Sequence, residues 1–386
     1  MTVAKRTINF GIIGCGLMGR EFASAAARWC HLEGLSFIPR IVIACDANRA
    51  AVKWFEDNIP TIEKTTADYR EVVDDKRVEA VYCAVPHDLH RDIYTAVIRA
   101  GKHLLGEKPF GIDREANDII LAAIQQNRHV LVRCASEFPF YPGAYRLGQW
   151  IQERRFGTII DVEAGFWHSG DLDPRKPINW KRRIATCGEY GCLGDLGMHA
   201  LHMPLRFGWK PRSVRALLSQ IFHERPSGEG KMVPCETWDN AILACDVPTA
   251  DYQFPMVISV KRIAPGHGNT WFLRVTGTEL SAEFTTKNPK QIAWLPYVPG
   301  GEQAWQVADV PYKTAYETIT GGIFEFGFSD SILQMWAAFC DELVNGPQMK
   351  QPFYCATPEE AAQTHTIFTA ALESQRASQT IHVSYA

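Results

Sequence analysis

The stretch Phe10-Gly11-Ile12-Ile13-Gly14-Cys15-Gly16-Leu17-Met18-Gly19 carries an apolar strand end into a glycine-rich turn and then into a helical pattern, Leu17 to Arg28. In that context Gly-x-Gly-x-x-Gly has a physical reading as a phosphate-binding turn. Gly14 permits the tight turn, Gly16 lets backbone amides approach a pyrophosphate at the helix N-terminus, and Gly19 lets helix and strand pack closely. Cys15, Leu17 and Met18 bring their backbone to the same contact. The next strand, Ile41 to Cys45, ends at Asp46, a carboxylate placed to accept hydrogen bonds from an adenosine ribose. Its charge would repel a 2′-phosphate, so NAD is expected, with NADP the second option. Arg49, close behind it, is the cation that could still reach such a phosphate.

Outward from this turn, the first third of the chain alternates β-branched runs with helical patterns, which predicts βαβ units and a parallel sheet. Ala80–Val85, His103–Leu105 and Val130–Arg133 read as further strands, and Asn48–Asp57, Leu89–Ala100 and Asp113–Asn127 as helices. From about Ser136 the texture shifts to longer loops, many aromatics and wider strands such as Thr158–Phe166, Val214–Phe222, Asn240–Cys245, Met256–Ile263 and Thr270–Thr276. The expected organisation is a dinucleotide-binding domain over residues 1–135 and a second, α+β domain with a large open sheet over 136–386. The polar, turn-rich excursion Glu224–Gly230 reads as a mobile loop. Two helical stretches, Ser329–Val344 and Thr357–Arg376, close the chain.

Composition bounds the rest. The chain has 386 residues, 46% apolar and 22% charged, which is enough for two ordinary cores. A formal net charge of −3 gives no global attraction to nucleic acid or anionic membrane, and neither partner is expected. No apolar run approaches a membrane span. Met1–Phe10 lacks a leader-like apolar stretch, and 11 scattered cysteines read as reduced thiols, so a cytoplasmic protein is expected. Cys187, Cys192, His199 and His202 lie close in sequence but lack the short Cys pair of zinc modules, and no metal is expected.

The phosphate turn, the segment Ala84-Val85-Pro86-His87-Asp88-Leu89-His90, the segment Gly101-Lys102-His103-Leu104-Leu105-Gly106-Glu107-Lys108-Pro109 and the glycine-rich Gly191-Cys192-Leu193-Gly194-Asp195-Leu196-Gly197-Met198-His199 occur in one order. Together they resemble the glucose-fructose oxidoreductase, inositol dehydrogenase and rhizopine catabolism (Gfo/Idh/MocA) family, over nearly the whole chain. The resemblance implies an N-terminal Rossmann domain and a C-terminal α/β domain whose open, mostly antiparallel sheet forms oligomer contacts, with a homodimer or homotetramer as the default. It implies that Lys108 stands near both nicotinamide and substrate, that Glu107 supports the cofactor side, and that Pro86 and His90 shape the nicotinamide side of the cleft. Trp180 is placed at the cofactor. Relatives carry Trp-Arg where this chain has Trp180-Lys181-Arg182, so Lys181 and Arg182 both remain candidates for that cation, and Arg182 is taken toward the substrate.

Hydride transfer from a carbinol carbon needs removal of the hydroxyl proton and a cation to stabilise the developing alkoxide. Asp195 and His199, four apart, share one face of a helix. His199 is read as the base, Asp195 as the residue that orients substrate, and Lys108 as the one that polarises the oxygen. Glu137, where many relatives carry Arg, favours neutral hydroxyl-rich substrates. Tyr141 and Trp167 are further pocket residues, and the 11 tryptophans suit the C–H faces of a sugar or cyclitol. The expected function is therefore NAD(P)-dependent oxidoreduction of a monosaccharide, anhydrosugar or inositol-like substrate. Two alternatives stand beside it: a redox-neutral glycosidase using bound NAD, and a non-catalytic sugar and dinucleotide sensor.

Overall fold

The computed structural model describes residues 5–310, 314–349 and 355–385; the first four residues of the opening segment lie outside them. The chain forms two compact units, one of residues 1–111, 115–140 and 314–358, the other of 112–114, 141–313 and 359–386.

In the first unit, strands β1 (Arg6–Ile13), β2 (Phe37–Cys45), β3 (Lys64–Thr66), β4 (Ala80–Cys83), β5 (His103–Gly106) and β6 (Val132–Cys134) pair in the order β3-β2-β1-β4-β5-β6, all parallel. Helices α1 (Leu17–Ala27), α2 (Arg49–Asn58), α3 (Tyr69–Asp74), α4 (His90–Arg99) and α5 (Arg114–Gln126) connect them. Helix starts follow the sequence chemistry: the Asn48 side chain accepts from the Ala50 amide at α2, and the Asp68 side chain from Arg70 at α3. The central strands are apolar on both sides because helices cover both faces, as at Ala80-Val81-Tyr82-Cys83, where every residue is buried.

Residues 314–358 lie beyond the 135/136 boundary drawn from sequence, yet they pack in this first unit. Their helix, Phe328–Asn345, lays Trp336 on Phe22 of α1 at 3.6 Å between ring centroids and edge-on to Phe10 of β1 at 5.0 Å. Arg28 pairs with Asp330 at 3.1 Å at the rim. Burying Trp336 completely contributes on the order of 2–3 kcal/mol relative to leaving it in water.

The second unit is built on a nine-stranded sheet. After α6 (Pro142–Gln152), its strands are β7 (Ile159–Trp167), β8 (Ser213–Ser219), β11 (Asn240–Pro248), β12 (Gln253–Lys261), β13 (Thr270–Gly277), β14 (Leu280–Thr285), β15 (Gln291–Pro296), β16 (Gln306–Asp309) and β17 (Ile381–His382). Every pairing is antiparallel except β7 with β12. Helices α7 (Ile184–Cys187) and α8 (Met198–Arg206) and the final helix Pro358–Ala377 complete the unit.

Glu224–Gly230, read from sequence as a loop, instead opens a hairpin of β9 (Glu224–Pro226) and β10 (Met232–Pro234). The reason is Arg225, whose fully buried guanidinium donates to the carbonyls of Asp171 and Asp173 and so ties the hairpin down. Among the described residues no helix is long and apolar enough to cross a membrane. All eleven cysteines are thiols, buried except for Cys30.

Candidate active site

In the first unit the residues singled out from sequence gather along the carboxyl edge of the parallel sheet. Strand order reverses between β1 and β4, and such switch points leave a crevice for a ligand. Gly14 follows β1, Asp46 follows β2, Pro86 follows β4, Glu107 and Lys108 follow β5, and Glu137 follows β6.

The glycine-rich turn has the backbone its sequence requires. Gly14 sits at φ +99°, and a Cβ there would meet the Ala84 carbonyl oxygen at 2.2 Å. A Cβ on Gly19 would meet the Gly14 carbonyl oxygen at 2.2 Å, so the start of α1 is drawn against the turn. At Gly16 nothing lies within 4 Å of where a Cβ would be, and no side chain caps the N-terminus of α1. Open space beside uncapped amides at the positive end of a helix fits a pyrophosphate.

Asp46 is half-buried. Its Oδ2 accepts from the Cys15 amide at 2.8 Å and its Oδ1 from the Asn48 amide at 2.7 Å. Each carboxylate oxygen keeps a second lone pair, which suits a ribose diol. Arg49 is engaged with Glu56 at 2.9 Å and is largely exposed.

The segment carrying Lys108 is held from several sides. The Tyr82 hydroxyl donates to Glu107 Oε1 at 2.8 Å, and the Tyr94 hydroxyl donates to the Glu107 carbonyl at 2.7 Å. His90 is fully buried, with Nδ1 2.6 Å from the Pro109 carbonyl oxygen and Nε2 3.0 Å from that of Val85. Lys108 itself is half-buried. Glu137 is buried; burial first, and then the Glu107 carboxylate, push its carboxyl up to about 8, against the opposing pull of the Lys108 ammonium. At neutral pH Glu137 is therefore a hydrogen-bond donor as well as an acceptor.

In the second unit Asp195 and His199 are joined by a feature the sequence reading lacks. Leu193–Gly197 is a π-helical turn that runs into α8, where uniform α-helix was expected. Glycines at 188, 191, 194 and 197 destabilise an ordinary α-helix there, and π turns recur at functional sites. Asp195 is almost fully buried. Lys181 Nζ lies 2.8 and 3.0 Å from its two oxygens, and Arg262 Nε 3.3 Å from Oδ2. His199 is 4% exposed, its ring edge-on to Phe166 at 5.4 Å, and its carbonyl accepts from Trp271 Nε1 at 2.8 Å.

Arg182 is fully enclosed between Asp239 and Asp171, the latter at 3.1 Å. Lys181, with a side chain 35% exposed, is thus the cation of the pair that solvent reaches, and its ammonium lies 5.6 Å from the Trp180 ring centroid. Trp167 is half-buried, and its indole N–H is taken by the carbonyl and hydroxyl of Ser259 at 3.1 and 3.0 Å. Tyr141 is buried, its ring 6.0 Å from Phe284.

Sequence reasoning missed Arg262, Tyr82 and Tyr94. Arg262 came from a strand that reads as plain sheet, and its fully buried guanidinium also donates to the Lys181 and Gly191 carbonyls at 2.9 and 3.2 Å. Burial pulls His168 down to about 4, so it sits neutral within the fields of Asp195 and Lys181. No periodicity signals the missed residues, because each comes from a different element: Tyr82 from β4, Tyr94 from α4 and Arg262 from just beyond β12.

The sequence model of an "Oxidoreductase family, NAD-binding Rossmann fold" matches residues 8–134, and that of the GFO/IDH/MocA C-terminal domain matches residues 145–283. Levoglucosan dehydrogenase of Pseudarthrobacter phenanthrenivorans is 27% identical over 230 residues, 58% of this chain and 57% of the relative. A 1,5-anhydro-D-fructose reductase of Ensifer adhaerens is 35% identical over 193 residues, 50% of this chain and 54% of the relative. The chain thus spans little more than half the length of the curated relatives it matches. A levoglucosan dehydrogenase solved in complex with NADH and levoglucosan superposes with a TM-score of 0.85 over 98% of this chain and 100% of that one, at 22% identity, a likeness of fold.

Proposed function

The chain belongs to the Gfo/Idh/MocA oxidoreductase family and carries its NAD-binding Rossmann domain, and from that premise we propose that it is a dehydrogenase acting on a secondary carbinol, or the matching ketone or lactone, of a monosaccharide, anhydrosugar or inositol-like substrate. The observation that carries this reading is Lys108 on the carboxyl edge of the same sheet as the phosphate turn, with a buried carboxyl, Glu137, beside it. The relatives named for levoglucosan and 1,5-anhydro-D-fructose support the substrate class.

In this reading the amides at Gly14–Gly19 hold the pyrophosphate, with Cys15, Leu17 and Met18 between them, and Asp46 holds the adenosine ribose. Pro86, Glu107 and Trp180 shape the nicotinamide side. When bound, NAD supplies the hydride acceptor. His199 takes the hydroxyl proton as the carbon–hydrogen bond breaks, Lys108 stabilises the charge that develops on oxygen, and Asp195 orients the hydroxyls. Glu137 offers a neutral acid to a polyol, and Tyr141 and Trp167 supply apolar surface.

The first unit is assigned to cofactor binding and the second to substrate and self-association, with residues 314–358, which the 135/136 boundary would have given to the second, staying with the first. On one sheet face Leu217 of β8 pairs in register with Ile242 of β11, and the two are 60% and 40% exposed, which supports a homo-oligomer through that face. Light scattering is expected to give a dimer or tetramer; a monomer at working concentration would remove that part.

The test of function is NADH absorbance with purified protein and NAD⁺, then NADP⁺, over free sugars, anhydrosugars and inositols. Reduction of NAD⁺ by one of them is the expected result. Product formation without net NADH would favour the redox-neutral glycosidase, and silence with NAD still bound would favour the sensor.

A further inference from the structure

Each residue around Lys108 has a backbone or side-chain handle held by the first unit. The Glu107 amide donates to the Cys83 carbonyl at 2.9 Å, and Asn117 Nδ2 donates to the Phe110 carbonyl at 2.7 Å. Pro109 has no N–H, so its carbonyl is the one hydrogen-bonding group on that residue. That carbonyl accepts from the Gly111 amide at 2.8 Å and faces His90 Nδ1 at 2.6 Å.

His90 and Tyr94 are one turn apart on α4, and their rings stack at 4.7 Å with 15° between planes. Both are fully buried. Together they reach the carbonyls on the two sides of Lys108: Tyr94 that of Glu107, His90 that of Pro109. A Cβ on Gly106 would meet the Tyr94 ring at 2.7 Å, so the glycine at the end of β5 is what lets the ring lie against the strand.

We propose that His90 is a positioning residue for Lys108, donating from Nδ1 to the Pro109 carbonyl and so fixing the backbone from which the lysine extends, and that it makes no contact with the cofactor. This rests on the reading of Lys108 as the residue that polarises the substrate oxygen. Burial pulls the imidazole down to about 4, so it is neutral and has one N–H to give. The Pro109 carbonyl at 2.6 Å and the Val85 carbonyl at 3.0 Å compete for that one N–H, which is assigned to Nδ1 and the shorter contact.

The experiment compares His90→Asn, which keeps a donor near the Nδ1 position, with His90→Gln, which keeps one near Nε2, and His90→Phe, which keeps neither. NAD⁺ affinity is measured by calorimetry, amide hydrogen exchange over residues 107–111 by mass spectrometry, and kcat and KM with whichever sugar the panel identifies. For Phe and Gln the expected result is kcat lower by about tenfold or more, with KM and NAD⁺ affinity within about twofold, and faster exchange at 107–111; Asn restores both. An NAD⁺ affinity that falls with kcat would make His90 a cofactor ligand and overturn the proposal, as would rescue by Gln and not Asn, or unchanged exchange. If the wild-type chain turns over no sugar, the functional reading fails by itself, while exchange and NAD⁺ affinity still decide the role of His90. Should His90→Phe not fold, Tyr94→Phe removes the matching bond on the Glu107 side and is expected to raise the same exchange; no change there would count against the brace.

Discussion

Lys181 holds both carboxylate oxygens of Asp195, at 2.8 and 3.0 Å, while Arg262 approaches one of them from within the core at 3.3 Å. A carboxylate buried this deeply needs that charge balance, and the two cations differ in kind. Arg262 is fully enclosed and also donates to the Lys181 and Gly191 carbonyls, so it belongs to the framework. Lys181 is reached by solvent, and in the proposed reading it exchanges its hold on Asp195 for a substrate hydroxyl.

Replacing Lys181 by Met therefore removes from Asp195 the cation that solvent reaches and keeps the enclosed Arg262. A charge-assisted bond of this kind, discounted for its partial exposure, contributes about 1–2 kcal/mol. The expected outcome is a KM raised by about tenfold, with NAD⁺ affinity unchanged by calorimetry and Arg partly restoring KM. An unchanged KM would show that Lys181 takes no part in substrate binding.

Glu137 predicts a pH dependence of stability. Its folded carboxyl titrates at about 8 against an ordinary value of 4.5, so between those values the folded state holds a proton the unfolded state has lost. The contribution of this proton is fully present below 4.5 and is lost as pH rises through about 8, by at most about 1.4 kcal/mol per pH unit. Glu137→Gln, neutral throughout, is expected to flatten the Tm profile over that window relative to wild type. Parallel Tm profiles for the two proteins would contradict it.

Asp46 fixes the turn, because its oxygens accept from the Cys15 and Asn48 amides, and in the proposed reading it also holds the adenosine ribose. Asp46→Ser should weaken NAD⁺ binding by about tenfold, roughly 1.4 kcal/mol, and leave NADP⁺ binding equal or tighter. Calorimetry with both nucleotides reads the ratio. An unchanged ratio would mean that Asp46 only supports the turn.

The legible parts of this chain were those written in contiguous residues. Gly14 at positive φ, Asp46 at the end of β2 and Lys108 after β5 follow from local pattern, since a parallel sheet brings all its carboxyl ends to one edge. The helix Phe328–Asn345 is enclosed on every side over residues 331–341, but nothing local says that Trp336 seeks Phe22, some 300 residues earlier. The same holds for the choice between Lys181 and Arg182. Two adjacent cations look alike in sequence, and only Asp171 and Asp239, arriving from elsewhere, bury one and leave the other facing Asp195. The π turn at Leu193–Gly197 is a further case, because glycine spacing signals an unusual helix without giving its hydrogen-bond register.

The central claim is that Lys108 serves the chemical step while the phosphate turn and Asp46 hold the cofactor. Lys108→Met tests it most directly, with NAD⁺ affinity by calorimetry and turnover measured on the same preparation. The account predicts NAD⁺ affinity within about twofold of wild type and a kcat lower by about a thousandfold, on the scale of losing a group that stabilises charge in the transition state. Turnover retained near the wild-type rate would contradict it.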